Sequence, residues 1–161
     1  MGAERGPEAA QQFFQKGYEA QTKGDLDAAI DHYTRSIEIM PTAEAYTFRG
    51  WAYSFKGDYE RAILECKRAI EVDPDFGNPY NDIGAYLIEL GRHDEAIPWL
   101  KKAMTAKRYE PRHYPYFNLS RIYVKQGKIH EAIREIKTAL ELEPGYVLAR
   151  KELHRLLGML N

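Results

Sequence analysis

Residues 56–63 read KGDYERAI, and the same phrase returns as KGDLDAAI at 23–30, LGRHDEAI at 90–97 and QGKIHEAI at 126–133. The glycines of this phrase, Gly24, Gly57, Gly91 and Gly127, lie 33, 34 and 36 residues apart. A glycine between two helical patterns suits a tight turn, because it takes up positive φ at little cost. Asp25 and Asp58 follow two of these glycines, where a carboxylate accepts hydrogen bonds from the free N–H groups of the next helix. Arg92 and Lys128 stand there in the later copies, so those helices are expected to start less well capped.

Outward from this phrase, small residues recur in register. The helix before each glycine carries Gly17, Gly50, Gly84 or Ser120. The helix after it carries Ala29, Ala62, Ala96 or Ala132, and seven residues later Ser36, Ala69, Ala103 or Ala139. Small side chains at these slots let helix axes approach to about 8–10 Å. Large residues stand between them: Phe13, Tyr46, Tyr80 and Tyr116 in the first helices, and Tyr33, Cys66, Leu100 and Ile136 in the second. Pro41, Pro74, Pro111 and Pro144 close the units, since proline does not continue a helix.

This pattern resembles the tetratricopeptide repeat, read in the second copy as Tyr46, Gly50, Tyr53, Ala62, Ala69 and Pro74, and in the fourth as Tyr116, Leu119, Ser120, Tyr123, Ala132, Ala139 and Pro144. Four units are read at 10–42, 43–76, 77–112 and 113–146. The fold class expected is all-α, an α-solenoid of antiparallel helix hairpins, and the resemblance implies a right-handed superhelix. Residues 1–8 are expected to be a disordered N-terminal tail. Residues 147–161 are expected to form a capping helix that covers the last apolar face of the stack. Ala149, Leu153, Leu156 and Leu160 give it an inward stripe at helical spacing. Leu148, Leu157 and Met159 either widen that stripe or mark a face for self-association. The third unit departs from the pattern, with eight residues from Ala103 to Pro111 against five from Ala69 to Pro74. The extra residues either lengthen its second helix or form a longer loop, and Pro98 is placed to bend that helix.

The family resemblance places the first helix of each hairpin on a concave face, and the groove positions carry over one at a time. They are Phe14, Tyr18 and Gln21 in the first unit, then Thr47, Phe48, Trp51 and Phe55 in the second. The third unit supplies Asn78, Asn81, Asp82 and Ile88, and the fourth Phe117, Asn118, Arg121 and Lys125. Phe14, Tyr18, Phe48, Trp51 and Phe55 make the N-terminal groove aromatic, and aromatic residues are frequent binding anchors. Asn81, Asp82 and Asn118 suit the backbone of an extended peptide. Arg121 suits an acidic group. Co-chaperone members of the family grip an acidic C-terminus through a two-carboxylate clamp. The positions of its residues are occupied here by Phe14, Tyr18, Phe48, Asn78 and Asp82, so binding of a chaperone tail is not expected.

The 161 residues are 44% hydrophobic and 29% charged, with 12 Tyr against 6 Phe and 2 Trp, a composition suited to one folded domain with a half-exposed aromatic face. Residues 1–80 carry 9 Lys/Arg and 14 Asp/Glu, and residues 81–161 carry 14 and 10. Such a gradient steers an acidic partner toward the C-terminal half, or is simply two mixed charged surfaces. The single cysteine, Cys66, excludes an intramolecular disulfide and reads as a buried small hydrophobe. No export signal or run of roughly 20 apolar residues is legible, which makes the cytoplasm the expected compartment. No phosphate loop, dinucleotide fingerprint or nucleophile elbow occurs, and the five histidines fall at unrelated repeat positions. Neither catalysis, a cofactor nor a metal is therefore expected. Lys101, Lys102, Lys107, Arg108 and Arg112 form a basic stretch, but without the aromatic interleaving of a nucleic-acid recognition motif. The function expected is a protein–protein interaction scaffold that binds a peptide or protein segment in its groove. The alternative is a building block that self-associates through residues 147–161.

Overall fold

The computed structural model describes residues 2–161, with side chains from residue 5 onward. Among the described residues there are nine helices: α1 (Gly2–Thr22), α2 (Leu26–Ile39), α3 (Ala43–Phe55), α4 (Tyr59–Val72), α5 (Asn78–Glu89), α6 (His93–Met104), α7 (His113–Lys125), α8 (Ile129–Leu142) and α9 (Val147–Met159). They pack as four successive hairpins, α1–α2 to α7–α8, with α9 laid on α8. The odd-numbered helices also touch the next odd-numbered helix, α1 to α3, α3 to α5 and α5 to α7, while the even-numbered ones show no such series. The stack therefore curves with its odd helices on the inside, as the family resemblance implies.

The four glycines have φ of 83°, 82°, 75° and 74° and turn each hairpin. At each, the glycine N–H bonds three residues back and the following N–H bonds five residues back, as in Asp58 N to Tyr53 O at 3.0 Å. This pair of bonds satisfies the last carbonyls of the helix and fixes where the next begins. The Asp25 side chain accepts from Ala28 N and the Asp58 side chain from Arg61 N, whereas Arg92 and Lys128 make no such cap.

Close packing of hairpin partners follows the small-against-large pairing. A Cβ placed on Gly17 would stand 2.6 Å from the Tyr33 ring, and one on Gly84 would stand 2.4 Å from Leu100. Tyr33, Leu100 and Ile136 are fully buried, as is the free thiol of Cys66 beside Gly50. Burial raises that thiol well above its ordinary pKa and keeps it protonated.

Two expectations are changed by the coordinates, and one open alternative is decided. Residues 2–8, expected as part of a disordered tail, lie within α1, with Pro7 inside the helix, while residue 1 lies outside the described residues. Just beyond them Ala10 is 2% exposed, and its carbonyl accepts a hydrogen bond from Ser36 Oγ at 2.7 Å, so the helix is anchored there. The extra residues of the third unit form a loop over 105–112 rather than a longer α6, and α6 continues through Pro98. That loop folds back on the start of α5: Arg108 N donates to Asp75 O and Gly77 N to Arg108 O, both at 2.9 Å. Its Arg108 guanidinium bridges Glu44 and Asp73, and Tyr109 is buried against Gly77. In α9, Ala149 and Leu156 are buried and Leu153 partly so, but Leu160 of the expected inward stripe is 45% exposed.

A charged contact inside the second hairpin has no counterpart in the repeat pattern. Glu65 is fully buried and accepts from Arg49 Nε at 2.6 Å, from Arg68 at 3.3 Å and from Arg61 at 3.4 Å. Arg49 is itself buried, donates to Thr34 Oγ1 of α2 and lies over the Tyr46 ring. One carboxylate thus ties α4 to α3 and, through Arg49, to the hairpin before it.

Candidate functional site

The inner helices converge on a cleft of about 380 Å³. Its first wall comes from α3, with Thr47, Phe48 and Trp51. Its floor is the first turn and a half of α5, with Asn78, Asn81 and Asp82. Its far wall is Tyr109 and Pro111 from the 105–112 loop and Tyr114 from α7. The fold-back of the loop explains this wall. The pair of backbone bonds to residues 75 and 77 sets its course, and the absence of a side chain at Gly77 lets Tyr109 settle within contact of the backbone.

The aromatic residues of the first two units form a connected run. Phe14 and Phe48 meet edge to face at 5.1 Å, Phe48 and Trp51 at 5.8 Å, and Trp51 and Phe55 at 5.1 Å, with Tyr18 joined to Phe48 at 6.0 Å. Phe14 and Phe48 are half-buried against Tyr33, so one side of each ring belongs to the core. Tyr18 and Phe55 are open to solvent at 42% and 59% exposure. Phe55 and Trp51 also flank a second pocket of about 400 Å³ beside the Gly24 turn, which Gln21 reaches. The Gln21 carbonyl accepts from the Tyr33 hydroxyl at 2.7 Å, and its buried amide nitrogen has no partner.

The polar candidates are drawn into a chain across the inner face. Asn118 Nδ2 donates to Asn81 Oδ1 at 3.0 Å, bridging α7 and α5. Arg121 donates to Asn118 Oδ1 at 3.3 Å and to Glu89 at 3.1 Å. Asn81 and Asn118 are buried, so part of their hydrogen-bonding capacity holds the curve of the stack. Thr47 donates to the Ala43 carbonyl, and Ile88 is buried in the core instead of facing the groove. Lys125 is exposed at the end of α7. Phe117 packs edge to face on Tyr146 at 5.2 Å, in a second cluster with His113 and Tyr114. Asp82 differs from its neighbours. Asp82 is partly open to the cleft, yet desolvation raises its carboxyl to about 7, and no hydrogen bond or cation pulls it back.

Tyr109 and Pro111 were not among the groove positions carried over, because they lie in the extra residues of the third unit, whereas Tyr114 holds in the fourth unit the register position of Asn78 and was legible from it though not named. The arrangement as a whole is a cleft of aromatic walls over a polar floor. Among the described residues, no group of three or more His, Cys, Asp or Glu is placed to hold a metal ion, and no helix is long and apolar enough to cross a membrane.

A curved stack of helix hairpins with such an inner cleft is the architecture of an α-solenoid, and the comparisons with known proteins agree. Profiles described as tetratricopeptide repeat match residues 8–42, 43–76 and 75–142. The chain belongs to the tetratricopeptide-repeat family, whose repeats generally mediate protein–protein interactions. It is 34% identical over 96 residues to the small glutamine-rich tetratricopeptide repeat-containing protein 2 of Mycosarcoma maydis, a stretch that is 59% of this chain and 27% of that protein. The chain thus spans little more than a quarter of that relative's length. Among solved structures, the pilF protein of Pseudomonas aeruginosa superposes with a TM-score of 0.87 at 23% identity, over 94% of this chain and 69% of that one. PilW, described as a type IV pilus biogenesis factor, superposes with a TM-score of 0.84 at 22% identity, over 93% and 69%. At such identities the likeness is one of fold.

Proposed function

We propose that this chain is a non-catalytic scaffold that holds an extended segment of another protein in its concave cleft. The cleft itself carries the reading. Aromatic walls from α3, the 105–112 loop and α7 face one another across a floor of Asn78, Asn81 and Asp82. Large rings give contact area at little cost in conformational entropy, and the amide side chains offer donors and acceptors to a peptide backbone. The chain should select ligands from a display library of random 12-residue peptides. Trp51→Ala should weaken the selected peptides by about 2 kcal/mol, roughly thirtyfold, while circular dichroism stays unchanged. Equal affinity of the parent and Trp51→Ala for every selected peptide would refute groove binding.

A second reading is favoured by one observation. Away from the buried Ala149 and Leu156, α9 leaves Val147, Leu148, Leu157 and Met159 at 40–59% exposure. A terminal helix that capped the stack and did nothing else would be polar on that side. If α9 joins two copies, sedimentation should show a concentration-dependent dimer that Leu148→Lys with Met159→Lys returns to monomer. A parent chain that stays monomeric at all concentrations excludes this reading.

A further inference from the structure

We propose that the cleft receives a cationic side chain, lysine or arginine, carried on the partner segment. The proposal rests on the reading of the cleft as a peptide site and names what that site selects. Asp82 is the only charged residue that lines the cleft among the described residues. Desolvation alone sets the state of its carboxyl, with no partner inside the chain to offset it.

Most cations on the elements around it are engaged elsewhere. Arg49 of α3 and Arg61 and Arg68 of α4 converge on Glu65. Lys67 of α4 and Lys102 of α6 lie over the Trp99 ring, Lys101 acts on Glu135, and Arg92 pairs with Glu60 and Glu95. In the 105–112 loop, Arg108 bridges Glu44 and Asp73, and Arg112 donates to the carbonyls of Met104 and Ala106. Arg121 of α7 pairs with Glu89. Lys107 and Lys125 are exposed and do not line the cleft. The groups that feel the Asp82 charge are Cys66 of α4, Tyr86 of α5 and Tyr109 of the loop, none of which carries positive charge. No cation of the described residues is thus seen paired with the Asp82 carboxyl, and an incoming one would find it unpaired.

The walls suit the same occupant. Rings of Phe48, Trp51, Tyr109 and Tyr114 surround the carboxyl's cleft, and aromatic faces attract a lysine ammonium or an arginine guanidinium. Asn78 and Asn81 add amide oxygens as acceptors. The raised carboxyl gives the site a pH signature. Below pH 7 Asp82 is mostly neutral, above it mostly charged, so cation binding favours the carboxylate and releases a proton. If only the carboxylate binds, affinity should rise by about tenfold between pH 6 and pH 8.

The test uses the full chain and labelled hexapeptide pools in which one position is fixed as Arg, Lys, Leu or Glu and the rest are randomised. Fluorescence polarisation is read at pH 6 and pH 8 for the parent, Asp82→Asn and Trp51→Ala, with thermal melts checking that each variant is folded. The Arg and Lys pools should bind the parent about tenfold more tightly than the Leu pool at pH 8. Asp82→Asn should erase both that preference and the pH dependence while leaving the weaker Leu-pool binding. Equal binding of the Arg and Leu pools, or a preference that survives Asp82→Asn, overturns the cation site and leaves the cleft reading standing. Pools bound no better by the parent than by Trp51→Ala overturn both.

Discussion

Glu65→Ala is expected to destabilise the chain by about 3–5 kcal/mol in a urea titration, among the largest single-residue losses in the molecule. The reason lies in what it strands. Arg49 has 9% of its side chain exposed and its Nε donates to Glu65 at 2.6 Å, so without the carboxylate a guanidinium stays buried with only Thr34 as a partner. Arg61 and Arg68 are 44% and 51% exposed and can turn to water, which limits the damage on their side. The reverse change, Arg49→Ala, should cost less, because those two arginines remain near Glu65 to offset its charge. The double change Arg49→Met with Glu65→Leu should recover much of the loss, since it removes both desolvated charges while keeping volume. A Glu65→Ala variant within about 1 kcal/mol of the parent would show that the contact is not a buried ion pair in solution.

Tyr33→Ala should cost about 3–5 kcal/mol in the same measurement and should also weaken peptide capture. Tyr33 is fully buried, fills the space that Gly17 leaves, and stands against both Phe14 and Phe48. Its hydroxyl donates to Gln21, whose amide nitrogen is already without a partner, so the truncation would leave that whole side chain unsatisfied. Phe48 leads directly to Trp51 in the run of rings, and a cavity behind it loosens the cleft wall. Tyr33→Phe separates the two effects: the cleft wall should hold, and only the cost of the lost hydrogen bond, about 1 kcal/mol, should remain. Should Tyr33→Ala bind peptide like the parent, the wall does not depend on its backing.

The hairpin architecture was legible because its determinants are local and repeat. Gly57 announces a turn, Asp58 a helix start, and Gly50 with Cys66 a close contact, all within one unit and again in the next. The terminal cap was legible in part: Ala149 and Leu156 pack as their spacing requires, whereas Leu160 is the C-cap past the last turn of α9 and is left exposed. Glu65 was not legible. A glutamate four residues from Arg61 and three from Arg68 reads like an ordinary solvated pairing, and nothing local says that Arg49 from the helix before will enclose it. The aromatic side of the cleft was read from α3, because the family's register names those positions. Tyr109 falls outside that register and Pro111 was read only as the close of its unit, since a loop's length does not state which way it folds. Asn81 and Asn118 were read as donors for a ligand, while their mutual bond, across 37 residues of sequence, depends on how sharply the stack bends.

The loop of the third unit has one more consequence. In a plain array each repeat leans only on its neighbours, so any repeat can lift away at the cost of one or two interfaces. Arg108 reinforces one of those interfaces by reaching 64 residues back to Glu44 at the start of α3, while its backbone pairs with the approach to α5. The two middle hairpins are thereby clasped into a single body, and the end hairpins are left free to peel. The cleft takes α3, α5 and the loop from the clasped part but Tyr114 from α7, so peeling of the last hairpin would strip one wall of the cleft before the rest.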